Sequence, residues 1–169
     1  MKNNLRTGLV LSIFALLCGF LLALVNYFTA PVIEARNEQD IKDAIQEICP
    51  EYDTSIHTLT TYDNLEYVEK AYIISSTSTK EKLYAIYLVS ETGFASTIEM
   101  MICVDKNDSI VGYTVISSAE TKGDIKAHDF NMNGSSSLDD FDSLAGSTHS
   151  SDAVKKCFKV ALLRAKSDL

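Results

Sequence analysis

Asp142-Ser143-Leu144-Ala145-Gly146-Ser147-Thr148-His149-Ser150-Ser151 sets hydroxyl side chains on a glycine turn directly ahead of a run with helical spacing. In that run Val154, Cys157, Phe158, Ala161, Leu162 and Ala165 recur every three or four residues and form one apolar stripe. Lys155, Lys156, Lys159, Arg164 and Lys166 take the other side. The pattern predicts an amphipathic helix with Ser150 or Ser151 as N-cap and Asp152 in its first turn, where a negative charge complements the helix dipole. The unpaired N–H groups of such a helix start suit a phosphate. Gly146 lets the turn take unusual dihedrals and come close to a ligand. An ordinary Gly/Ser turn capping a helix has the same local pattern.

Working back from this stretch, β-branched or alternating runs lie at Ala71 to Ser76, Lys82 to Val89, Thr97 to Val104 and Ile110 to Ser117. Polar turns such as Lys106-Asn107-Asp108 separate them, which fits an antiparallel sheet. Ile41, Ala44, Ile45 and Ile48 make a short apolar stripe, predicting a helix from about Glu34 to Ile48 that Pro50 ends. With a helix before the sheet and another after it, the fold class is α+β, an antiparallel sheet flanked by helices.

The N-terminal region has a different composition. Leu9 to Phe28 carries no charge, and a helix needs about 20 apolar residues to cross the hydrocarbon core. A cleaved signal peptide would have a shorter apolar region, and Pro31 after Ala30 is a poor cleavage context. Lys2 and Arg6 precede the span and Glu34 is the first charge after it. The positive-inside rule therefore puts the N-terminus in the cytoplasm and the domain outside. The expected division is a cytoplasmic N-terminus over 1–8, a transmembrane helix over 9–28, a linker helix over 29–50 and an extracytoplasmic domain over 51–169.

The chain's net charge is −8 and every Asp and Glu follows the span, so the negative charge is concentrated in the domain and argues against nucleic acid as a partner. Cys18, Cys49, Cys103 and Cys157 show no metal-ligand spacing with each other or with His57, His128 and His149. A disulfide between Cys49 and Cys103 is compatible with an oxidising compartment, but spacing does not fix it. Asp129-Phe130-Asn131-Met132-Asn133-Gly134, with Asp140 further on, has the oxygen pattern that opens an EF-hand calcium loop. Its last position is Asp rather than the longer Glu and no helical pattern precedes it, so an Asn/Gly turn is the preferred reading.

Asp142 to Thr148 resembles the Asp-x-x-Ser/Thr-Gly-Ala-Thr/Ser signature of the FMN-binding domain family, which includes the RnfG proteins of Rnf electron-transport complexes and a related component of the sodium-pumping NADH:quinone oxidoreductase. Ala145 stands where the family has Ser or Thr, and Ser147 where it has Ala. Thr29-Ala30-Pro31-Val32-Ile33 resembles the family's entry segment. Gly93-Phe94 through Ile98-Glu99, Val104-Asp105, Ile110 to Tyr113 and Glu120-Thr121-Lys122-Gly123 follow its central sheet and its Glu-Thr-Pro-Gly turn, with Lys122 in place of Pro. The stretch from Gly123 to Asp142, which in the family helps cover the flavin ring, is shorter here.

The resemblance implies FMN held covalently as a phosphodiester on Thr148, with Gly146, Ser147, Asp142, Ser150 and Ser151 around the phosphate. It puts Glu120 and Thr121 by the flavin ring, although a polar turn ending a strand would look the same. His149 occupies the motif's variable position and reads as a solvated turn residue. A threonine hydroxyl is too weakly acidic to attack a pyrophosphate unaided, so attachment implies a separate flavin transferase. The cofactor then carries the redox chemistry, while the protein sets its position and potential. The implied role is an electron relay among the other membrane subunits of an Rnf-type, ion-translocating ferredoxin:NAD oxidoreductase complex. Two alternatives stay open: a structural or binding subunit of this fold without flavin, and a stand-alone extracytoplasmic flavoprotein.

Overall fold

The uncharged run beginning at Leu9 lies inside one long helix, α1 (Lys2–Ile48), which contains Pro31. The computed structural model describes residues 2–169 apart from 54, 56, 66, 122 and 123, and the side chains of 2–7, 32–38, 40 and 64 lie outside that description. The helices expected over 9–28 and 29–50 are thus one continuous element. Within it Gly8–Pro31 is long and apolar enough to cross a membrane, and its side chains are exposed throughout. The side chains of Lys2, Arg6 and Glu34, on which the orientation argument rests, fall outside the described residues. The chain divides into two compact units, Met1–Ile41 and Lys42–Leu169.

The second unit is built on a meander: β1 (His57–Leu65), β2 (Val68–Ser76), β3 (Lys82–Thr92), β4 (Thr97–Asp105) and β5 (Ile110–Ser117). They pair antiparallel in the order β1-β2-β3-β4-β5. Four of the strands are those that the residue patterns predict. β1 is an addition, because a half-exposed edge strand reading His-Thr-Leu-Thr-Thr-Tyr lacks the apolar alternation that marks an inner strand. A final helix, α2 (Thr148–Asp168), packs across β3 and β4.

Alternation divides the sheet into two apolar faces. Ala71, Ile73, Ala85, Tyr87, Val89, Ile98, Met100, Ile102 and Val104 face α2 and form one core with its stripe of Val154, Cys157, Phe158, Ala161, Leu162 and Ala165. The stretch after β5 closes this core, burying Ile125, Phe130 and Met132. The Phe158 ring meets Tyr113 edge-on at 4.9 Å, and Phe130 stacks on Phe141 at 5.5 Å. At the far end of α2, the Tyr87 hydroxyl donates to Asp168 at 3.1 Å, and Arg164 lies 3.4 Å from the same carboxylate.

The opposite face carries Tyr72, Ile74, Ile86, Leu88, Met101 and Cys103, all buried. Buried with them are Ala44, Ile45, Ile48 and Cys49, from the end of α1 and just beyond it. The register shows how the end of α1 reaches this face. Gly112 pairs directly with Cys103, and a Cβ on Gly112 would overlap the Ile48 carbonyl oxygen and stand 2.9 Å from the Ile48 Cα. Only glycine allows α1 to end so close to β5.

Large-to-small substitution in a core this closely packed costs the transfer energy of the lost atoms and that of the cavity left behind. Phe158→Ala is therefore expected to destabilise the domain by about 3–5 kcal/mol. Leu163→Ala, further along the same helix at a position 60% exposed, should change stability by less than about 0.5 kcal/mol. Chemical denaturation of the two variants measures the difference.

Candidate functional site

Gly146 has φ +78°, and the turn closes with the Ser147 N–H donating to the Leu144 carbonyl at 3.1 Å. The chain is then free to enter a helix at once, and α2 begins at Thr148 with Ser147 as N-cap. The expected N-cap at Ser150 or Ser151 is corrected by three residues or more. Both of these serines are buried within the first turns, and their hydroxyls are engaged elsewhere: Ser150 donates to Glu120, and Ser151 accepts the Leu144 N–H at 3.0 Å. Asp152 moves accordingly, and the first turn holds no acidic residue. Ser147 makes no side-chain capping bond. The first intrahelical bond runs from Ser151 N–H to the Ser147 carbonyl at 2.9 Å. The N–H groups of Thr148, His149 and Ser150 precede it, as the geometry of a helix start requires.

Glu120 follows β5 and reaches into the turn between β3 and β4. Its carboxylate accepts backbone N–H bonds from Phe94 at 3.2 Å, Ala95 at 3.1 Å and Ser96 at 2.9 Å, and the Ser96 hydroxyl donates at 3.3 Å. With the Ser150 hydroxyl on Oε2, one side chain joins three segments distant in sequence. A Cβ on Gly93 would collide with this carboxylate and approach Ile98 Cδ1 at 2.9 Å. Burial opposes ionisation of Glu120, but the Ser150 hydroxyl and the N–H groups of Ser96, Ala95 and Phe94 outweigh it and hold the carboxyl down at about 2.

A cavity of about 220 Å³ opens beside this junction, lined by Phe94, Gly146, Ser147, Thr148, His149 and Ser150. Thr148 and His149 are exposed at its edge, whereas Ser147 is only 6% exposed. The His149 and Phe94 rings stack at 6.3 Å with planes 27° apart. His149 also borders a wider cleft of about 530 Å³ lined by Thr92, Gly93, Leu138, Asp152 and Ala153 together with Lys155, Lys156 and Lys159. The start of α2 thus combines backbone donors, a reachable hydroxyl, an exposed aromatic pair and a group of cations.

Of the residues singled out in the sequence, Gly146, Ser147, Thr148 and Ser150 line the smaller cavity, and Ser151 and Glu120 brace it. Asp142 is turned elsewhere: its N–H donates to the Phe130 carbonyl at 3.0 Å, and its carboxylate stands 4.0 Å from His128 Nε2. Thr121 is exposed next to Glu120, and Lys122 and Gly123 lie outside the described residues. The Asp129 to Asp140 segment is used internally. Asp129 accepts from the Tyr113 hydroxyl at 2.6 Å and from the Asn131 N–H at 2.9 Å, and the Ser135 carbonyl accepts from Ile110 N–H at 3.0 Å.

Phe94, Ala95 and Ser96 carry no motif that marks them as site residues. Their contribution is mainly backbone N–H groups, which carry no residue signature, although an exposed Phe on a turn is a cue for Phe94. The helical spacing places the three lysines on the solvated side of α2, but a cleft formed with Thr92, Gly93 and Leu138 leaves no trace in that spacing.

This architecture has relatives. Residues 1–48 match the RnfG N-terminal region and residues 93–163 match the FMN-binding domain. The G subunit of the ion-translocating oxidoreductase complex of Shewanella piezotolerans is 28% identical over 130 residues, which cover 72% of this chain and 61% of that protein. The G subunits of Shewanella loihica and Shewanella baltica are each 26% identical, over 72% and 73% of this chain and 61% and 62% of their own lengths. The chain therefore spans somewhat over three-fifths of the length of these relatives. An RnfG N-terminal region carrying a membrane-length helix is joined here to an FMN-binding domain whose match contains β4, β5, the Glu120 junction and the start of α2, and in this domain order the chain is similar to these G subunits.

Proposed function

We propose that this protein is a membrane-anchored flavoprotein subunit of an Rnf-type ion-translocating oxidoreductase complex, carrying FMN as a phosphodiester on Thr148. The observation that carries the reading is the position of Thr148: an exposed hydroxyl on the first residue of α2, on a cavity edge, next to N–H groups at the helix start. A phosphate on Thr148 would lie within reach of those donors, at the positive end of the helix dipole. Lys155, Lys156 and Lys159 would supply further positive charge from the adjoining cleft. Phe94 and His149 offer flat surfaces to a planar ring. Ser150 and Ser151 act at one remove, fixing the turn through Glu120 and Leu144. FMN, once bound, supplies one- and two-electron redox chemistry that no side chain provides.

Attachment exchanges the Thr148 O–H for an O–P bond. A separate flavin transferase would break the pyrophosphate of FAD, with AMP as the leaving group, and take up the hydroxyl proton. As an electron relay between ferredoxin and NAD, the subunit depends on other membrane subunits for donor and acceptor. The anchor is the apolar span of α1, with residues 1–8 in the cytoplasm, 9–28 in the membrane, 29–50 as linker and 51–169 outside. Flavin-free protein from native membranes would favour the structural-subunit alternative, and flavinylated protein free of other membrane subunits would favour the stand-alone flavoprotein.

Thr148→Ala is expected to abolish flavin fluorescence of the denatured protein in gels after co-expression with a flavin transferase. Ser147→Ala should retain it, because the Ser147 hydroxyl is buried. The reverse pattern would move the acceptor to Ser147.

The Glu120 junction predicts a pH signature. Its folded carboxyl titrates below the ordinary value of 4.5, at about 2, so the stability it contributes is complete above the ordinary carboxylate range and is lost as pH falls toward 2. Glu120→Gln should lower the melting temperature at neutral pH by roughly 5 °C. The gap from wild type should close between about pH 5 and pH 2. A gap independent of pH would detach stability from the Glu120 charge.

An amine reagent that cannot cross membranes, applied to intact cells, should label Lys155, Lys156 and Lys159, all exposed on α2. Labelling only after lysis would reverse the topology.

A further inference from the structure

Two buried thiols stand apart from the site at the start of α2. Cys49 directly follows α1, Cys103 lies in the inner strand β4, and neither has any exposed surface. The backbone brings them together. Gly112 pairs with Cys103 across β4 and β5, and its missing Cβ leaves room for the Ile48 backbone, with the Ile48 Cα only 2.9 Å from where that Cβ would be. Cys49 is the next residue, on the same face of the sheet as Cys103, and the two side chains are hydrogen-bonded to each other. The other cysteines have no comparable neighbour: Cys18 lies in the apolar span, and Cys157 faces the opposite side of the sheet.

We propose that Cys49 and Cys103 are a modification site, joined as a disulfide in the exported protein, that fastens the last turn of α1 to the middle of the sheet. This rests on the reading that the domain lies outside the cytoplasm, where thiols meet oxidants. The pair is asymmetric. The hydrogen bond with Cys103 holds the Cys49 thiol below its ordinary range despite burial, and the same bond together with burial pushes the Cys103 thiol up. Cys49 is thus the more acidic thiol of the pair. Its sulfur attacks a disulfide of the oxidant, a protein or small molecule of the extracytoplasmic space, and one oxidant sulfur leaves. The Cys103 sulfur then attacks Cys49 Sγ, forms the new S–S bond and displaces the second. Two protein thiols are oxidised, one disulfide is reduced to two thiols, and both protons end on those thiols. Because the folded pair is out of reach of solvent, the bond forms as the domain closes. The loop it joins contains β1, β2 and β3, so the cross-link constrains much of the unfolded chain.

The test uses the full chain in its own membranes. Acid-quenched cells are denatured and alkylated, then reduced and alkylated with a second reagent, and the peptides are read by mass spectrometry. The expected result is the second label on Cys49 and Cys103, and the first on Cys18 and Cys157. Reductant should lower the melting temperature of the purified protein by about 10 °C, while a Cys49→Ser, Cys103→Ser double variant should not respond. The first label on Cys49 and Cys103 overturns the proposal. The lysine labelling separates its failure from that of the topology: reduced cysteines with lysines labelled from outside count against the pair alone, and reduced cysteines with lysines labelled only after lysis show that the topology has failed as well. In the second case diamide, present while the denatured and reduced chain refolds in detergent so that the thiols are still reachable, reads the geometry. Failure to link Cys49 to Cys103 then shows that the two thiols are not adjacent.

Discussion

The carboxylate of Glu120 is held from two sides, by the N–H groups of the β3–β4 turn and by the Ser150 hydroxyl at the start of α2. An ionised carboxylate only accepts hydrogen bonds, and a tight turn has N–H groups that no strand partner takes up, so each satisfies the other. Through this contact the position of the Gly146 turn depends on a loop some fifty residues away in sequence. The charge has a second effect. An anion this close to the helix start would repel a phosphate if it were unscreened, but the turn donors already neutralise much of it. Lys155, Lys156 and Lys159 line the adjoining cleft, which His149 borders.

The acidic surface and the basic cleft are compatible. A net charge of −8 describes the whole chain, while the field at a binding site is set by the groups within a Debye length of about 8–10 Å. Three lysines on adjacent turns of α2 reverse the sign locally. They do so because the apolar stripe of the same helix is committed to the sheet, which leaves the opposite side to carry charge.

The sheet is buried on both faces, and the two faces do different work. The α2 face holds Phe158, Phe130, Tyr87 and Met100 and fixes the helix whose first residue is Thr148. The other face receives the end of α1 through the Gly112 contact. The last turn of α1 is therefore seated against β5, and the segment that follows β5 carries Glu120. One strand thus holds the end of α1 and leads into the residue that braces the site.

Periodicity by itself determined the membrane-length helix, the four strands from β2 to β5, the amphipathic nature of α2 and the α+β class, because each depends on where apolar residues recur in the local sequence. The motif also determined Gly146 as the turn ahead of that helix. The tertiary structure decided what depends on long-range contacts. Edge strand β1, mostly polar, is recognisable only by its pairing with β2. The N-cap fell at Ser147 rather than at Ser150 or Ser151 because packing against Glu120 and Leu144 draws those two serines inward, and hydroxyl residues in a row look alike until a partner selects among them. The donors of Phe94, Ala95 and Ser96 are backbone groups common to every residue. Spacing left the pairing of Cys49 with Cys103 open; the register of β4 with β5, and a glycine that lets α1 come close, set the two thiols side by side.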